Sequence, residues 1–231
     1  MSPAAENGRG VAVTIFSSGP PLVFFDLDGT LIRGLSSESR FFAVLLRSRA
    51  LGWRQMATFA GVGLKAVRRR EKIPWKTNKA YLAGLTPAAV EALARPFVGK
   101  LAAAMQPLIK DRLDRHLARG DKVVLLTGAP DFIAQPLAEA LGIRITAATV
   151  CACSGNCFTA ALPTVHPHGE TKRRIAARLC RAYGTRLVDS TAYANAISDL
   201  PLLNSVGRPI AVFPDRRLRR TAAARRWEII G

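Results

Sequence analysis

Two polar segments could form a catalytic site, because each follows a short apolar run. Asp26 and Asp28 come directly after Leu22–Phe25, and Thr127-Gly128 follows Val123–Leu126. A fully apolar run of this length is typical of a strand buried in a parallel sheet. In such sheets, ligands bind beyond the carboxyl ends of the strands. Carboxylates can act there as nucleophiles and as general acids or bases, so the placement predicts an active site.

The rest of the pattern alternates strands with helices, which predicts an α/β fold with a doubly wound (Rossmann-like) parallel sheet. Residues 37–115 have a helical pattern with breaks near Pro74 and at Thr86-Pro87, where Thr86 is a predicted N-cap. The other predicted elements are a helix after Gly128 through about Leu141, a β-hairpin in 145–160, a basic helix in 170–183, a strand at Leu187-Val188, a helix opening in Asp199–Leu203 and a strand at Ile210–Val212.

Composition bounds the class of protein. The chain has 231 residues, and 49% of them are hydrophobic, which allows a sizeable core and excludes wholesale disorder. Lys and Arg number 34 against 16 Asp and Glu, giving a net charge of +18 and a pI of about 11.1. Such an excess favours phosphorylated substrates or anionic lipid headgroups, or it forms a solvated basic surface. No specific nucleic-acid partner is expected.

The cysteines and the N-terminus bear on the compartment. Cys151, Cys153 and Cys157 lie within seven residues, and His166 and His168 follow, so a zinc clip remains open beside reduced thiols. Residues 1–10 lack a signal-peptide layout. No uncharged apolar run approaches the roughly 20 residues of a membrane span. We therefore expect a cytoplasmic protein, with peripheral attachment to the inner face of the membrane left open.

Four segments, in this order, resemble the haloacid dehalogenase (HAD) superfamily of phosphohydrolases. They are Phe25–Ile32 (FDLDGTLI), Leu125–Pro130 (LLTGAP), Gly169–Lys172 (GETK) and Tyr193–Leu203 (YANAISDLPLL). The resemblance is to subfamily IB, the phosphoserine-phosphatase-like branch, which has a helical cap domain inserted between the first two motifs. It implies a HAD core at 21–32 and 116–231, a helical cap at 33–115 and a flexible leader at 1–20.

The resemblance also implies a reaction and a role for each motif residue. Asp26 is the expected nucleophile, which forms an aspartyl-phosphate, and Asp28 is the expected general acid and then base. Mg²⁺ is the expected cofactor. The implied catalytic residues are Asp26, Asp28, Thr127 and Lys172; the implied phosphate-binding residues are Gly29, Thr127, Gly128 and Lys172; and the implied metal ligands are Asp26, Asp28, Asn195 and Asp199.

The fourth motif departs from the family pattern at one ligand. Where the branch has an aspartate that binds Mg²⁺, this chain has Asn195, although Asp199 remains. An amide oxygen can still bind Mg²⁺, but it brings no charge. The departure leaves open a catalytically impaired relative that binds phosphorylated ligands or anionic surfaces.

The substrate is less defined than the chemistry. Phosphoserine phosphatases carry a glutamate nine residues after the nucleophile, and Leu35 occupies that place here, with Glu38 nearby. The apolar stretch 51–64 resembles the cap of bacterial phosphatidylglycerophosphate phosphatases and is flanked by Arg47, Arg49, Lys65, Arg68, Arg69, Arg70 and Lys72. A small phosphate or a phospholipid is the expected substrate, and contact with an anionic membrane and ordinary cap packing both remain open.

Overall fold

A computed structural model describes residues 19–68 and 77–231, and its centre is a six-stranded sheet. All strand pairs in this sheet are parallel, which confirms the predicted fold class. In the order in which they lie across the sheet, the strands are β3 (Ile145–Thr149), β2 (Lys122–Pro130), β1 (Leu22–Phe25), β6 (Thr191–Ala194), β7 (Arg208–Val212) and β8 (Glu228–Ile230). The strand that carries Asp26 is therefore central.

Helices cover both faces of the sheet. One face carries α1 (Ser37–Arg47), α3 (Pro87–Ala103), α4 (Pro107–Ala118) and α5 (Asp131–Ala140), with α2 (Trp53–Arg68) and a short 3-10 helix at Ala80–Leu82 beyond them. The other face carries α6 (Glu170–Ala182), α7 (Leu200–Leu203) and α8 (Arg216–Ala224). The predicted N-cap is confirmed, because the Thr86 hydroxyl accepts from the amide of Ala89 at 3.2 Å.

The helices inserted between β1 and β2 share a hydrophobic core with the sheet. Phe41 of α1 packs against Phe97 of α3 and Phe132 of α5, each at 5.4 Å between ring centroids. Phe41 is fully buried. Because α5 follows the second motif, these rings attach the insert directly to the elements that carry the candidate site.

Two predicted elements differ in the structure. Ile145–Thr149 is not half of a hairpin but joins the main sheet as its edge strand, and the hairpin consists only of β4 (Cys153–Ser154) and β5 (Cys157–Phe158). Leu187-Val188 belongs to a 3-10 helix, and the strand starts at Thr191. Val188 is exposed, so the short apolar run reflected a surface turn rather than a buried strand.

Some expectations fall on residues that the structure does not describe. These are residues 1–18 of the expected leader, the break at Pro74, and the basic residues Arg69, Arg70 and Lys72. None of the described helices is both long and apolar enough to cross a membrane.

Helix α4 packs on the sheet rather than on the other inserted helices. Its Arg112 pairs with Glu228 of β8 at 2.8 Å, and the Nε2 of His116 lies 2.9 Å from the hydroxyl of Tyr193 in β6. The division into a core and a cap at 33–115 stays a prediction, and these contacts favour grouping α4 with the core.

The Tyr193 hydroxyl gives a test of this packing. Tyr193→Phe removes the hydrogen-bond partner of Nε2 in the buried His116 ring, so we expect the free energy of unfolding to fall by about 1–3 kcal/mol in urea titrations. Tyr183→Phe is the matched control, because Tyr183 is half-buried and packs against Lys122, and it should shift the value by less than about 0.5 kcal/mol. Equal effects of the two substitutions would contradict the assigned role of the Tyr193 hydroxyl.

Candidate active site

The loop after β1 turns back on itself immediately beyond Asp26. The amide of Gly29 donates to the carbonyl of Ile32 at 2.7 Å, and the amide of Ile32 donates to the carbonyl of Leu27 at 3.1 Å. Gly29 has φ of +87°, and a Cβ there would lie 1.9 Å from Nδ2 of Asn195. Only glycine suits this position, because the backbone is left-handed and the fourth motif packs directly against it.

Asp26 forms the centre of a buried ionic cluster. Its Oδ1 accepts from Nζ of Lys172 at 2.7 Å, and its Oδ2 accepts from the hydroxyl of Thr30 at 3.2 Å. The same Lys172 ammonium lies 3.0 Å from Oδ1 of Asp199. All three charged groups are buried, so one ammonium serves two carboxylates away from water.

The pKa values in this cluster follow from that sharing. Burial alone would lower the pKa of Lys172, but the carboxylates of Asp199 and Asp26 outweigh it and raise the pKa above its usual value. The pKa of Asp199 is also raised, chiefly by burial, with a further contribution from the charge of Asp26. Lys172 therefore stays cationic, as a group that neutralises a phosphate ester must be.

Asp28 is held by the first residue of α1. The amide of Ser37 donates to Oδ1 at 2.6 Å, and the Ser37 hydroxyl donates to Oδ2 at 3.1 Å. Burial raises the pKa of Asp28 from 3.8 to about 6 despite these hydrogen bonds, and the charge of Asp26 adds to the rise. A carboxyl group with this pKa can give up and accept a proton near neutral pH, as a general acid and base must.

The second motif supplies the opposite wall. Thr127 is buried, and its hydroxyl accepts from the amide of Ala129 at 3.0 Å. The carbonyl of Gly128 accepts from the hydroxyl of Thr149 at 2.7 Å, and that hydroxyl also lies 2.8 Å from Nδ1 of His166. The second motif is thus fixed against the segment that leads into the lysine motif.

These segments enclose one cavity of about 120 Å³. Seven predicted site residues line it, namely Asp26, Asp28, Thr127, Gly128, Lys172, Asn195 and Asp199. Gly29 instead shapes the loop and contacts Asn195. The structure therefore brings all the predicted site residues together, while their catalytic roles stay predictions.

Asn195 is positioned by a residue that the motifs did not indicate. The carbonyl of Asn195 accepts from the amide of Asp215 at 2.9 Å, and the Asp215 carboxylate accepts from the amide of Ile197 at 2.7 Å. The other Asp215 oxygen caps the first turn of α8, accepting from the amides of Arg217 and Leu218. Asp215 therefore fixes the loop that carries the candidate metal ligand.

The oxygen donors fit a hard cation. Asp26, Asp199, the amide of Asn195 and the backbone at Asp28 could offer oxygen ligands, and Mg²⁺ usually takes one or two carboxylates and keeps several waters. Over the ranges 19–68 and 77–231, no three His, Cys, Asp or Glu side chains are grouped to hold a metal ion. The open zinc-clip alternative is therefore not supported by the described cysteines and histidines.

The two histidines nevertheless belong to the site. His166 and His168 stack at 5.9 Å between ring centroids, and both line the catalytic cavity. From the sequence alone, these histidines are candidates only for a zinc site. Their position just before Gly169–Lys172 was the available signal, because residues adjacent to a catalytic motif share its end of the sheet.

The chain belongs to the haloacid dehalogenase-like hydrolases, whose family model matches residues 23–204. This match confirms the resemblance that the four motifs predicted. With relatives named as phosphatases, it makes the protein an enzyme of the HAD phosphatase class.

Two relatives and one solved structure show how far the similarity extends. The chain is 31% identical to the "inhibition of morphological differentiation protein" of Streptomyces azureus, over 90% of this chain and 76% of that one. It is 30% identical to phosphoserine phosphatase SerB1 of Mycobacterium tuberculosis, over 89% of this chain and 69% of that one. A crystal structure of a protein of unknown function from Bordetella pertussis has a TM-score of 0.77 at 27% identity, covering 93% of this chain and 99% of that one.

Asp28 gives a pH-dependent test of the site. Its folded-state pKa of about 6 lies above 3.8, so its contribution to stability is present below pH 3.8 and is lost as pH rises through 6. This loss is absent in Asp28→Asn. We therefore expect the free energy of unfolding of the variant, relative to that of wild type, to rise by roughly 1–3 kcal/mol from pH 4 to pH 8.

The measurement is chemical denaturation in a chelating buffer at both pH values. Asp114→Asn is the control, because Asp114 is exposed on α4 and pairs only with Lys110 among its described ion-pair contacts. A stability difference between Asp28→Asn and wild type that does not change with pH would show that the Asp28 carboxyl is not buried as described.

Proposed function

We propose that the protein is a phosphomonoester hydrolase that works through an aspartyl-phosphate on Asp26. The observation that carries this proposal is the Asp26 carboxylate, which is buried and paired with Lys172 beside an Asp28 carboxyl of pKa about 6. A nucleophile, a fixed cation and an acid of suitable pKa are the groups that phosphoryl transfer requires.

In the proposed reaction, these groups act in two steps. An oxygen of Asp26 attacks phosphorus, the bond from phosphorus to the alcohol oxygen breaks, and the Asp28 carboxyl protonates that oxygen. Asp28 then takes a proton from water as the water attacks the aspartyl-phosphate and releases inorganic phosphate. Lys172 and the hydroxyl of Thr127 neutralise and hold the phosphoryl oxygens.

Mg²⁺ is the proposed cofactor. Asp26, the backbone carbonyl of Asp28, Asn195 and Asp199 would hold it. When bound, it would offset the negative charge that the phosphoryl group and two carboxylates bring into one cavity. Without such compensation, three anionic groups would share only the Lys172 ammonium.

A catalytically impaired relative is the second candidate, and Asn195 favours it. The Asn195 amide packs on Gly29 at the position where the motif resemblance expects a carboxylate. A site of this kind would still bind a phosphorylated ligand through Lys172 while turning it over slowly.

Contact with an anionic membrane remains a further proposal. Trp53 and Leu64 of α2 are exposed, and Arg54, Lys65 and Arg68 are basic residues of the same helix. Apolar and basic side chains side by side are what an anionic lipid surface would bind.

The nucleophile is tested by Asp26→Asn. An amide is a far poorer nucleophile, so we expect phosphatase activity with p-nitrophenyl phosphate and Mg²⁺ to fall by several orders of magnitude. The fold should persist, because Asp199 still pairs with Lys172. Asp114→Asn is the control and should keep full activity. Retention of more than about a tenth of the activity would rule out Asp26 as the nucleophile.

The metal position is tested by Asn195→Asp. A restored carboxylate should lower the Mg²⁺ concentration for half-maximal activity by about 10- to 100-fold. Mutation of residues that only support metal ligands already changes metal affinity or activity by about this factor. Asn204→Asp adds the same charge at an exposed position and should leave the Mg²⁺ dependence unchanged. Activity that appears only in the Asn195→Asp variant would favour the impaired candidate. An unchanged Mg²⁺ dependence would place the metal elsewhere.

A further inference from the structure

A second cavity adjoins the catalytic one on the side of the inserted helices. It has a volume of about 330 Å³, at the lower end of the about 300–1,000 Å³ typical of small-molecule pockets. Ser36 and Glu38 line both cavities, so the two spaces share a wall at the start of α1. The catalytic cavity itself has about 120 Å³, the volume of about four waters in the liquid. It can hold a phosphoryl group, whereas the alcohol attached to that group must extend beyond it.

The lining of the second cavity is largely apolar. Tyr81 makes edge-on contacts with Phe42 at 5.3 Å and with Phe59 at 5.9 Å between ring centroids. Met56 of α2 completes the apolar lining and is 38% exposed, which places it at the rim. Rings that pack against one another form a rigid surface, so this space is preformed.

The polar groups of the lining are already bonded within the protein. Glu38 accepts from the hydroxyl of Tyr81 at 2.7 Å and forms an ion pair with the buried ammonium of Lys79. Asn78 donates to the carbonyl of Phe59 at 3.3 Å and accepts from the amide of Ala80 at 3.1 Å. A charged group entering the cavity would lose its hydration and meet a carboxylate that Lys79 has already neutralised.

We propose that this cavity binds the alcohol part of the substrate, and that this alcohol is uncharged and apolar, either aromatic or a short alkyl chain. The inference rests on the proposed function, since it assumes that the phosphoryl group lies at Asp26. It disfavours phosphoserine, whose ammonium and carboxylate would both need partners. Leu35, at the position where phosphoserine phosphatases carry glutamate, is 70% exposed, and Glu38 is paired with Lys79.

Binding of non-hydrolysable phosphonates tests the inference without requiring turnover. The full chain is titrated with each phosphonate in a calorimeter, in the presence of Mg²⁺. The dissociation constants should fall roughly fourfold per methylene from methyl- through butyl- to hexylphosphonate. Comparison of hexyl- with 2-phenylethylphosphonate distinguishes an alkyl from an aromatic occupant. The zwitterionic 2-amino-4-phosphonobutyrate should bind no more tightly than methylphosphonate. The proposal would be overturned by dissociation constants that do not change along the alkyl series, or by tighter binding of the zwitterion than of methylphosphonate.

A charged residue at the rim provides the matched variant. Met56→Glu should weaken hexylphosphonate binding by at least about tenfold while leaving methylphosphonate unchanged, since only the longer chain reaches the rim. Ala57→Glu adds the same charge at the next, exposed position of α2 and should spare both ligands. Equal effects of the two variants on hexylphosphonate would argue against occupancy of the cavity.

Hydrolysis separates this inference from the proposed function. If the phosphonate series shows the expected slope but neither methyl nor hexyl phosphate is hydrolysed, the cavity assignment stands and the phosphatase proposal fails. If methyl phosphate is hydrolysed and chain length has no effect on binding, the phosphatase proposal stands and the cavity assignment is wrong.

Discussion

The ammonium of Lys172 lies between the carboxylates of Asp26 and Asp199, and the rest of the site depends on this contact. Two buried carboxylates would repel each other and would take up protons without a cation between them. Lys172 lies in the first turn of α6, whereas Asp26 follows β1 and Asp199 ends the 3-10 helix Ile197–Asp199. One side chain therefore ties a helix to two segments distant in the chain, and the cluster of Asp26, Lys172 and Asp199 has one negative charge in excess. That excess favours the binding of a metal ion.

The start of α1 connects this chemistry to the substrate cavity. Three consecutive residues contact the site: Ser36 and Glu38 line both cavities, and Ser37 between them binds Asp28. A shift of α1 would therefore alter two things at once: the hydrogen bonds that hold Asp28, and the surface that receives the leaving alcohol. Helix α1 is anchored by Phe41 in the shared core, so the position of the insert and the state of the catalytic acid are linked.

The sequence was sufficient for the parts of the site that local rules determine. Asp26 and Thr127 could be placed because apolar runs ending in polar residues identify buried parallel strands. Ser37 and Asp215 could not, because their roles arise only when α1 and α8 pack against loops distant in the chain. The strand predicted at Leu187-Val188 was wrong for a related reason. Two apolar residues predict a strand whether they face the core or the solvent, and Val188 faces the solvent.

The central place of β1 has a consequence for how the chain folds. Lys172 lies 146 residues after Asp26, and Ser190, whose hydroxyl accepts from the amide of Leu22, lies 168 residues after Leu22. To form contacts between residues so far apart in sequence, the chain must first lose the conformational entropy of a long loop. Such contacts therefore slow folding. Strand β1 has both of its neighbours only after β6 has been synthesised. During synthesis, the segment with the candidate nucleophile therefore emerges well before the lysine that pairs with it and before its second neighbouring strand.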